Sequence, residues 1–205
     1  MSAAPVEFRQ VHDIYRLKIL RYLTRLVGEH EAEDLTQTVL AKVSEGLKNF
    51  RGEASLSTWI YRIATNAALD KLRSLSTQRE FAVPMPAEST SEDHFDANEY
   101  EVSAGERSPS VDSVVIRTEM DECIKGFIKN LPGNYRTVIV LSDIEGFKNN
   151  EIADILGVSL DTVKIRLHRA RQQLKKELEA GCNFYRDERN EFACDRKSEV
   201  NPAAK

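Results

Sequence analysis

The chain has 205 residues, 41% of them hydrophobic and 30% charged, with a formal net charge of −4. That is enough for one or two small domains. It contains no run of about 18 apolar residues that could cross a membrane, and its first residues lack the basic start and apolar core of a secretory signal. Three cysteines are too few for a disulfide scaffold, and nine glycines with six prolines are too few for a turn-rich β fold. Together these features predict an all-α fold in a reducing cytoplasm.

Charge divides the sequence. Residues 80–113 carry nine acidic residues against one basic residue, Arg107, together with Pro84, Pro86 and Pro109 and few large apolar side chains. Such a segment buries too little surface to offset the entropy of ordering it. It reads as a flexible acidic linker between two helical domains, at about 6–79 and 114–179.

In the first domain, Phe8, Val11, Ile14, Tyr15, Ile19, Tyr22, Leu23, Leu26 and Val27 recur at helical steps, and Gly28 stops the helix. A second helix has Ala32, Leu35, Val39, Leu40 and Val43 inside and Glu33, Asp34 and Gln37 outside. The acidic first turn complements the helix macrodipole; the same face also suits docking on a basic partner helix. A third helix, from Thr58 to Ser74, has Trp59, Ile60, Ile63, Ala64, Ala67 and Leu72 on its core side. Thr58, Arg62, Asn66, Asp70 and Arg73 form a second stripe, which suits phosphate neutralisation and base-edge hydrogen bonding but also resembles a solvated face. Phe50, Trp59 and Tyr61 lie beside it, either as a stacking platform for unpaired bases or as core.

The second domain is predicted to open with an amphipathic helix over residues 114–128, followed by an apolar helix from Tyr135 to Ile144. From Glu151 onward the pattern is that of a helix-turn-helix. Ala153 is small at the crossing, Gly157 tolerates the turn, and Ser159 caps the second helix with Asp161 in its first turn. Ile152, Leu156, Val158, Val163 and Leu167 supply the buried side. Between Thr162 and Lys176 there are six basic residues and no acidic one, a helix suited to a major groove. A dimeric helix-turn-helix regulator would share this helix, whereas a protein-only adaptor would not.

The tail, 180–205, places Cys182 and Cys194 in a polar stretch with Phe184, Tyr185 and Phe192. It reads as a short amphipathic extension, frayed from 195 onward, with a redox or zinc-responsive pair as the alternative. There is no Walker-type glycine loop, no His-Glu-x-x-His pattern and no nucleophile constellation, so no enzymatic activity and no cofactor are expected.

Glu31-Ala-Glu-Asp-Leu-Thr-Gln-Thr-Val-Leu and Ser57-Thr-Trp-Ile-Tyr-Arg-Ile-Ala-Thr-Asn-Ala-Ala-Leu-Asp-Lys-Leu-Arg resemble region 2 of sigma-70 family transcription initiation factors of the extracytoplasmic-function group. Leu131-Pro-Gly-Asn-Tyr-Arg-Thr-Val through Leu178 resembles region 4. The resemblance implies that Glu33, Asp34, Leu35 and Gln37 face the clamp helices of the β′ subunit of core RNA polymerase. It places Ser55, Leu56 and Ser57 in a loop that cradles a flipped base. Arg62, Asn66, Asp70, Lys71 and Arg73 would lie along the −10 DNA, and Asp161, Thr162, Lys164, Arg166, His168 and Arg169 on the −35 duplex. It further implies contact with the β flap, an anti-sigma factor as partner, a linker along the RNA exit path, no membrane insertion and a bacterial cytoplasmic location. Lys148 stands where the family often has a capping Ser, so the first helix of the helix-turn-helix is expected to begin at Asn149.

Overall fold

A computed structural model describes residues 7–78, 123–186 and 192–197. The acidic linker expected at 80–113 lies outside the described residues. So does the first part of the helix expected from 114; the described part, α4, covers 123–130.

Helix α1 (Phe8–Val27) buries Val11, Ile19, Tyr22, Leu23 and Leu26. Gly28 ends it at φ 91° and ψ 166°, a conformation only glycine adopts without strain, and α2 (Glu29–Leu47) starts on the next residue. Ala32, Val39, Leu40 and Val43 face the core as expected, joined by Thr36, whose hydroxyl donates to the Ala32 carbonyl at 2.7 Å. Helix α3 (Leu56–Gln78) packs on both. Ile14, expected inside, is 55% exposed: its side of α1 meets neither α2 nor α3, and the periodic stripe is wider than the packed face.

Trp59 is held in the bundle rather than presented for stacking. Its ring meets Phe50 at 5.1 Å between centroids and lies over Gly46, where an added Cβ would come within 2.8 Å of the indole. Beneath it, the Thr65 hydroxyl donates to the Tyr61 carbonyl at 2.7 Å. Its oxygen is left to accept from the fully buried Tyr22 hydroxyl, also at 2.7 Å.

In the second domain α5 (Gly133–Ile139) runs into a π-helical turn, Val140–Ile144, rather than one uniform helix. The Glu145 N–H closes that wider turn on the Val140 carbonyl at 2.9 Å. Helices α6 (Asn149–Leu156) and α7 (Leu160–Gly181) form the helix-turn-helix, with α6 beginning at Asn149 as expected. Ile152, Val163 and Leu167 are buried together with Ile155, while Leu156 and Val158 are half-buried.

The two domains pack on each other, α6 lying against α3. Glu145 is the centre of this junction. Its carboxylate accepts from Arg25 of α1 at 3.0 Å and from the Tyr61 hydroxyl of α3 at 2.6 Å. The Tyr61 ring stacks edge-on against Phe147 at 4.7 Å. Arg136 donates to the Leu26 carbonyl at 2.9 Å and to the Leu131 carbonyl at 3.0 Å. That sets a cation at the negative end of α1.

The tail departs from expectation. Residues Cys182–Arg186 (β1) and Phe192–Arg196 (β2) form an antiparallel hairpin, Cys182 opposite Arg196 and Phe184 opposite Cys194. Residues 195–197 are therefore tied in rather than frayed: the Lys197 N–H donates to the Gly181 carbonyl at 2.8 Å. The hairpin is a small appendage to an otherwise all-α fold. No glycine or proline lies between its strands, and Asp187 and Asn190 alone are a weak hairpin signal.

Gly46→Ala is expected to destabilise the first domain by about 1–3 kcal/mol through displacement of the indole. The single Trp makes the shift readable as a change in fluorescence maximum alongside a lower Tm. At the junction, Glu145→Ala strands two donors and should cost about 1–3 kcal/mol, with an increased radius of gyration in small-angle scattering. Burial, and then the hydrogen bond to Glu145, hold the Tyr61 hydroxyl above the usual tyrosine range. Its contribution is complete below the ordinary tyrosine value of about 10 and is lost as pH rises beyond it. Tyr61→Phe should lose less stability than the parent chain between pH 9 and 11 in thermal melts.

Candidate nucleic-acid interface

Arg62, Asn66, Asp70 and Arg73 are all exposed along one side of α3, away from the residues it buries. Asp70 and Arg73 are paired at 3.0 Å. Both are largely solvated, so the pair is worth little energetically and opens readily to a competing phosphate. Lys71 does not extend this row: its ammonium is taken by Glu31 of α2, and the pair holds the Glu31 carboxyl below its usual range, chiefly through that hydrogen bond. Lys71 therefore ties α3 to α2.

At the start of α3, the Ser55 hydroxyl oxygen accepts from the Thr58 N–H at 3.0 Å and contacts the Thr58 hydroxyl at 2.8 Å. Ser55 is thus the helix cap, which fixes the loop preceding α3. Leu56 and Ser57, expected in that loop, are instead the first two residues of α3, and both are half-buried. Ser57 lines a cavity of about 320 Å³ at the domain junction, beside Lys18, Arg21, Arg25 and Tyr61. Tyr61, read from sequence as a neighbour of the basic face, is committed to that junction.

On α2, Asp34 and Gln37 are exposed, Leu35 is half-buried against the core, and Glu33 accepts from Arg16 of α1 at 2.8 Å. The set is contiguous on one helix, but Glu33 is partly spent on holding α1 to α2.

The second candidate face is the amino-terminal part of α7. Gly157 takes the left-handed conformation, φ 65° and ψ 35°, and its N–H returns to the Ala153 carbonyl, turning the chain sharply after α6. The Ser159 oxygen accepts from the Thr162 N–H at 3.1 Å, so α7 starts where the sequence places it. On α6, the Glu151 carboxylate accepts from the Lys148 N–H at 2.9 Å. A lysine side chain has no acceptor to return that bond, so only half of a capping box is formed.

Asp161, Lys164 and His168 are exposed and Thr162, Arg166 and Arg169 half-exposed, all within the first three turns of α7. The His168 ring contacts Gln172 at 2.9 Å. Arg171, counted among the six cations, instead turns back to Asp143 in a two-pronged pair at 2.6 and 3.2 Å, which raises its affinity for its proton. Sequence reasoning missed Ile165, 45% exposed between Lys164 and Arg166. An exposed apolar side chain on a basic helix is of the type that contacts a thymine methyl group in a major groove. Its signal was available: one β-branched residue off the buried phase of a basic helix.

Among the described residues, no group of three or more His, Cys, Asp or Glu side chains is arranged to hold a metal ion, and no helix is long and apolar enough to cross a membrane. Two helical units, one carrying a mixed polar and cationic helix face and the other a helix-turn-helix with a basic second helix, define a bipartite nucleic-acid-reading scaffold.

The comparisons with known proteins agree in both halves. The sigma-70 region 2 family matches residues 12–78 and the sigma-70 region 4 family residues 121–174. The ECF RNA polymerase sigma factor SigW of Bacillus subtilis is 34% identical over 172 residues, covering 83% of this chain and 88% of that protein. The RNA polymerase sigma-H factor of Pseudomonas aeruginosa is 31% identical over 167 residues, covering 80% and 82%. A solved sigma factor, RpoE of Bartonella quintana in complex with the anti-sigma factor NepR, shares the fold with a TM-score of 0.59 at 22% identity, over 84% of this chain and 96% of that one. The chain belongs to the sigma-70 family, in its extracytoplasmic-function group, and is a transcription initiation factor that directs RNA polymerase to promoters.

Ser159→Ala removes the cap of the basic helix and is expected to cost about 1 kcal/mol. Chemical denaturation should show a lower midpoint with an unchanged slope, because the loss falls on the folded state.

Proposed function

We propose that region 2, residues 6–79, holds core RNA polymerase and the −10 element while region 4, residues 114–179, reads the −35 element. The observation that carries this is that both candidate faces stay open to solvent although the two domains pack together. Arg62, Asn66, Asp70 and Arg73 are exposed on α3, and Asp161, Lys164 and His168 lie exposed in the amino-terminal part of α7.

On this reading, Arg62 and Arg73 neutralise phosphates and Asn66 hydrogen-bonds a base edge of the melted −10 strand. Ser55, Leu56 and Ser57, fixed by the Ser55 cap, hold a flipped base, and Lys71 positions α3 from behind. Lys164, Arg166, His168 and Arg169 contact the −35 duplex with Asp161 and Thr162, and Ile165 meets a thymine methyl. Glu33, Asp34, Leu35 and Gln37 face the β′ clamp helices, and region 4 meets the β flap.

Each DNA-reading unit is small. Tethered to one polymerase, the second contact forms at high effective concentration, so neither needs high affinity alone. The protein itself performs no chemistry; catalysis belongs to the polymerase. It acts in the bacterial cytoplasm and, when not engaged, is held by an anti-sigma factor. Support for that partner comes from the solved relative, which was determined with one bound.

Run-off transcription with bacterial core polymerase and fragmented host DNA tests the proposal. Specific start sites that require this chain are expected. Arg166→Ala should lower transcription from promoters that depend on the −35 element by about 10-fold or more, each good base contact contributing about 1–3 kcal/mol. Its binding to core polymerase should be unchanged. Failure to direct any specific start, or loss of core binding with Arg166→Ala, overturns the assignment.

A further inference from the structure

All three cysteines of the chain meet at one corner of the second domain. Cys123 stands at the start of the described part of α4, Cys182 is the first residue of β1, and Cys194 lies on β2. The corner is assembled by contacts onto the backbone at the end of α7. Phe127, one turn after Cys123, lays its ring on Gly181, where an added Cβ would come within 2.5 Å of it. Only glycine admits that approach, and it brings the first turn of α4 onto the residue preceding Cys182. From the other side, the Lys197 N–H holds the end of β2 to the Gly181 carbonyl at 2.8 Å, and the Lys197 ammonium donates to the Glu179 carbonyl at 2.6 Å.

Within this corner, Cys123 Sγ and Cys182 Sγ are 3.9 Å apart, in van der Waals contact and facing each other. Cys182 and Cys194 share a hairpin face but are not opposed, because Cys182 faces Arg196 and Cys194 faces Phe184. Diagonal neighbours in an antiparallel pair have Cα atoms about 7–8 Å apart, beyond the roughly 4.4–6.8 Å that a disulfide spans. Cys194 also reaches the Cys182 thiol in a side-chain hydrogen bond, so Cys182 has two neighbouring thiols, and tertiary packing sets Cys123 at 3.9 Å from it.

We propose that Cys123 and Cys182 form a reversible intramolecular disulfide under peroxide, with Cys194 left as the free thiol. Cys123 is half-exposed and Cys182 only 3% exposed, so within this pair peroxide reaches Cys123 first. The Cys123 sulfur attacks one peroxide oxygen: an S–O bond forms, the O–O bond breaks, and the departing oxygen leaves as water with the thiol proton. The Cys182 sulfur then attacks the resulting sulfenic acid: the S–S bond forms, the S–O bond breaks, and a second water leaves with the Cys182 proton. Two thiols are oxidised and one peroxide is reduced to two waters. Rotation of the facing thiols closes the 3.9 Å gap to the roughly 2.0 Å of the bond. Burial, and next the hydrogen bond with Cys123, push the Cys182 thiol up to about 11, so the closing step quickens as pH rises.

The bond would enclose α5, the π-helical turn, α6 and α7 in a single covalent loop, since all of them lie between residues 123 and 182. Closing so long a loop restricts the unfolded chain and favours the folded domain. It does so about 27 Å along α7 from Lys164, at a rise of about 1.5 Å per residue. The oxidised protein therefore gains a stabler reading domain without a change in its reading face.

The full-length chain, treated with a small excess of hydrogen peroxide, alkylated and digested without reductant, tests this by mass spectrometry. A Cys123–Cys182 crosslinked peptide is expected, with Cys194 alkylated, and dithiothreitol should reverse it. The oxidised chain should melt several degrees higher. Cys194→Ser should keep both the crosslink and the Tm shift, and Cys123→Ser should lose both while matching the parent chain in circular dichroism. A Cys182–Cys194 or intermolecular bond, alkylation of all three thiols after peroxide, or a stoichiometric metal that blocks alkylation of the reduced chain would each overturn the proposal.

Discussion

The Glu145 carboxylate, held between the Arg25 guanidinium and the Tyr61 hydroxyl, is the contact on which the arrangement of the two domains turns. It is largely withdrawn from water, so its charge must be matched by directed donors, and a fit that loses either donor is costly. The directionality matters as much as the energy. A carboxylate at the end of a π-helical turn, reaching one residue on α1 and one on α3, fixes how the second domain sits on the first. Tyr61 adds its ring, stacked between Tyr22 at 5.0 Å and Phe147 at 4.7 Å. One side chain thereby joins the core of region 2 to the junction.

That placement decides which surfaces remain available. Helix α3 has three jobs around its circumference: its small residues, Ala64, Ala67 and Ala68, pack inside, Tyr61 meets the second domain, and Arg62, Asn66 and Asp70 stay in water. The small residues permit close packing of helices on two sides without crowding the third. In α7 the division runs along the length. The capped amino-terminal turns carry the exposed polar and cationic groups, whereas the carboxyl-terminal end is occupied by Phe127, Gly181 and the hairpin. One end of the helix stays exposed while the other end anchors it.

Cations are sorted by the same packing. Lys71 is drawn to Glu31, Arg16 to Glu33 and Arg171 to Asp143, each joining two elements of one domain. Arg136 and Arg25 serve the junction. A count of basic residues along a helix therefore overstates the charge offered to nucleic acid. Nothing in one-dimensional spacing separates Arg171, turned back onto Asp143, from Lys164, exposed in the second turn.

The sequence by itself determined the all-α character, the capped start of α7 at Ser159 and Leu160, the glycine turn at Gly157, the start of α6 at Asn149 and the family. These features rest on local chemistry: an oxygen that accepts a free helix N–H, a residue without Cβ at positive φ, and apolar side chains at helical period. Only the tertiary structure decided that Ile14 lies outside, that Tyr61 and Glu145 meet, that Lys71 and Arg171 are paired with Glu31 and Asp143, and that Cys123 lies against Cys182. Those outcomes depend on residues 28 to 84 positions apart in the chain. Which of them come together is set by how whole helices pack, and that information is spread over every residue of the interface rather than written at either partner.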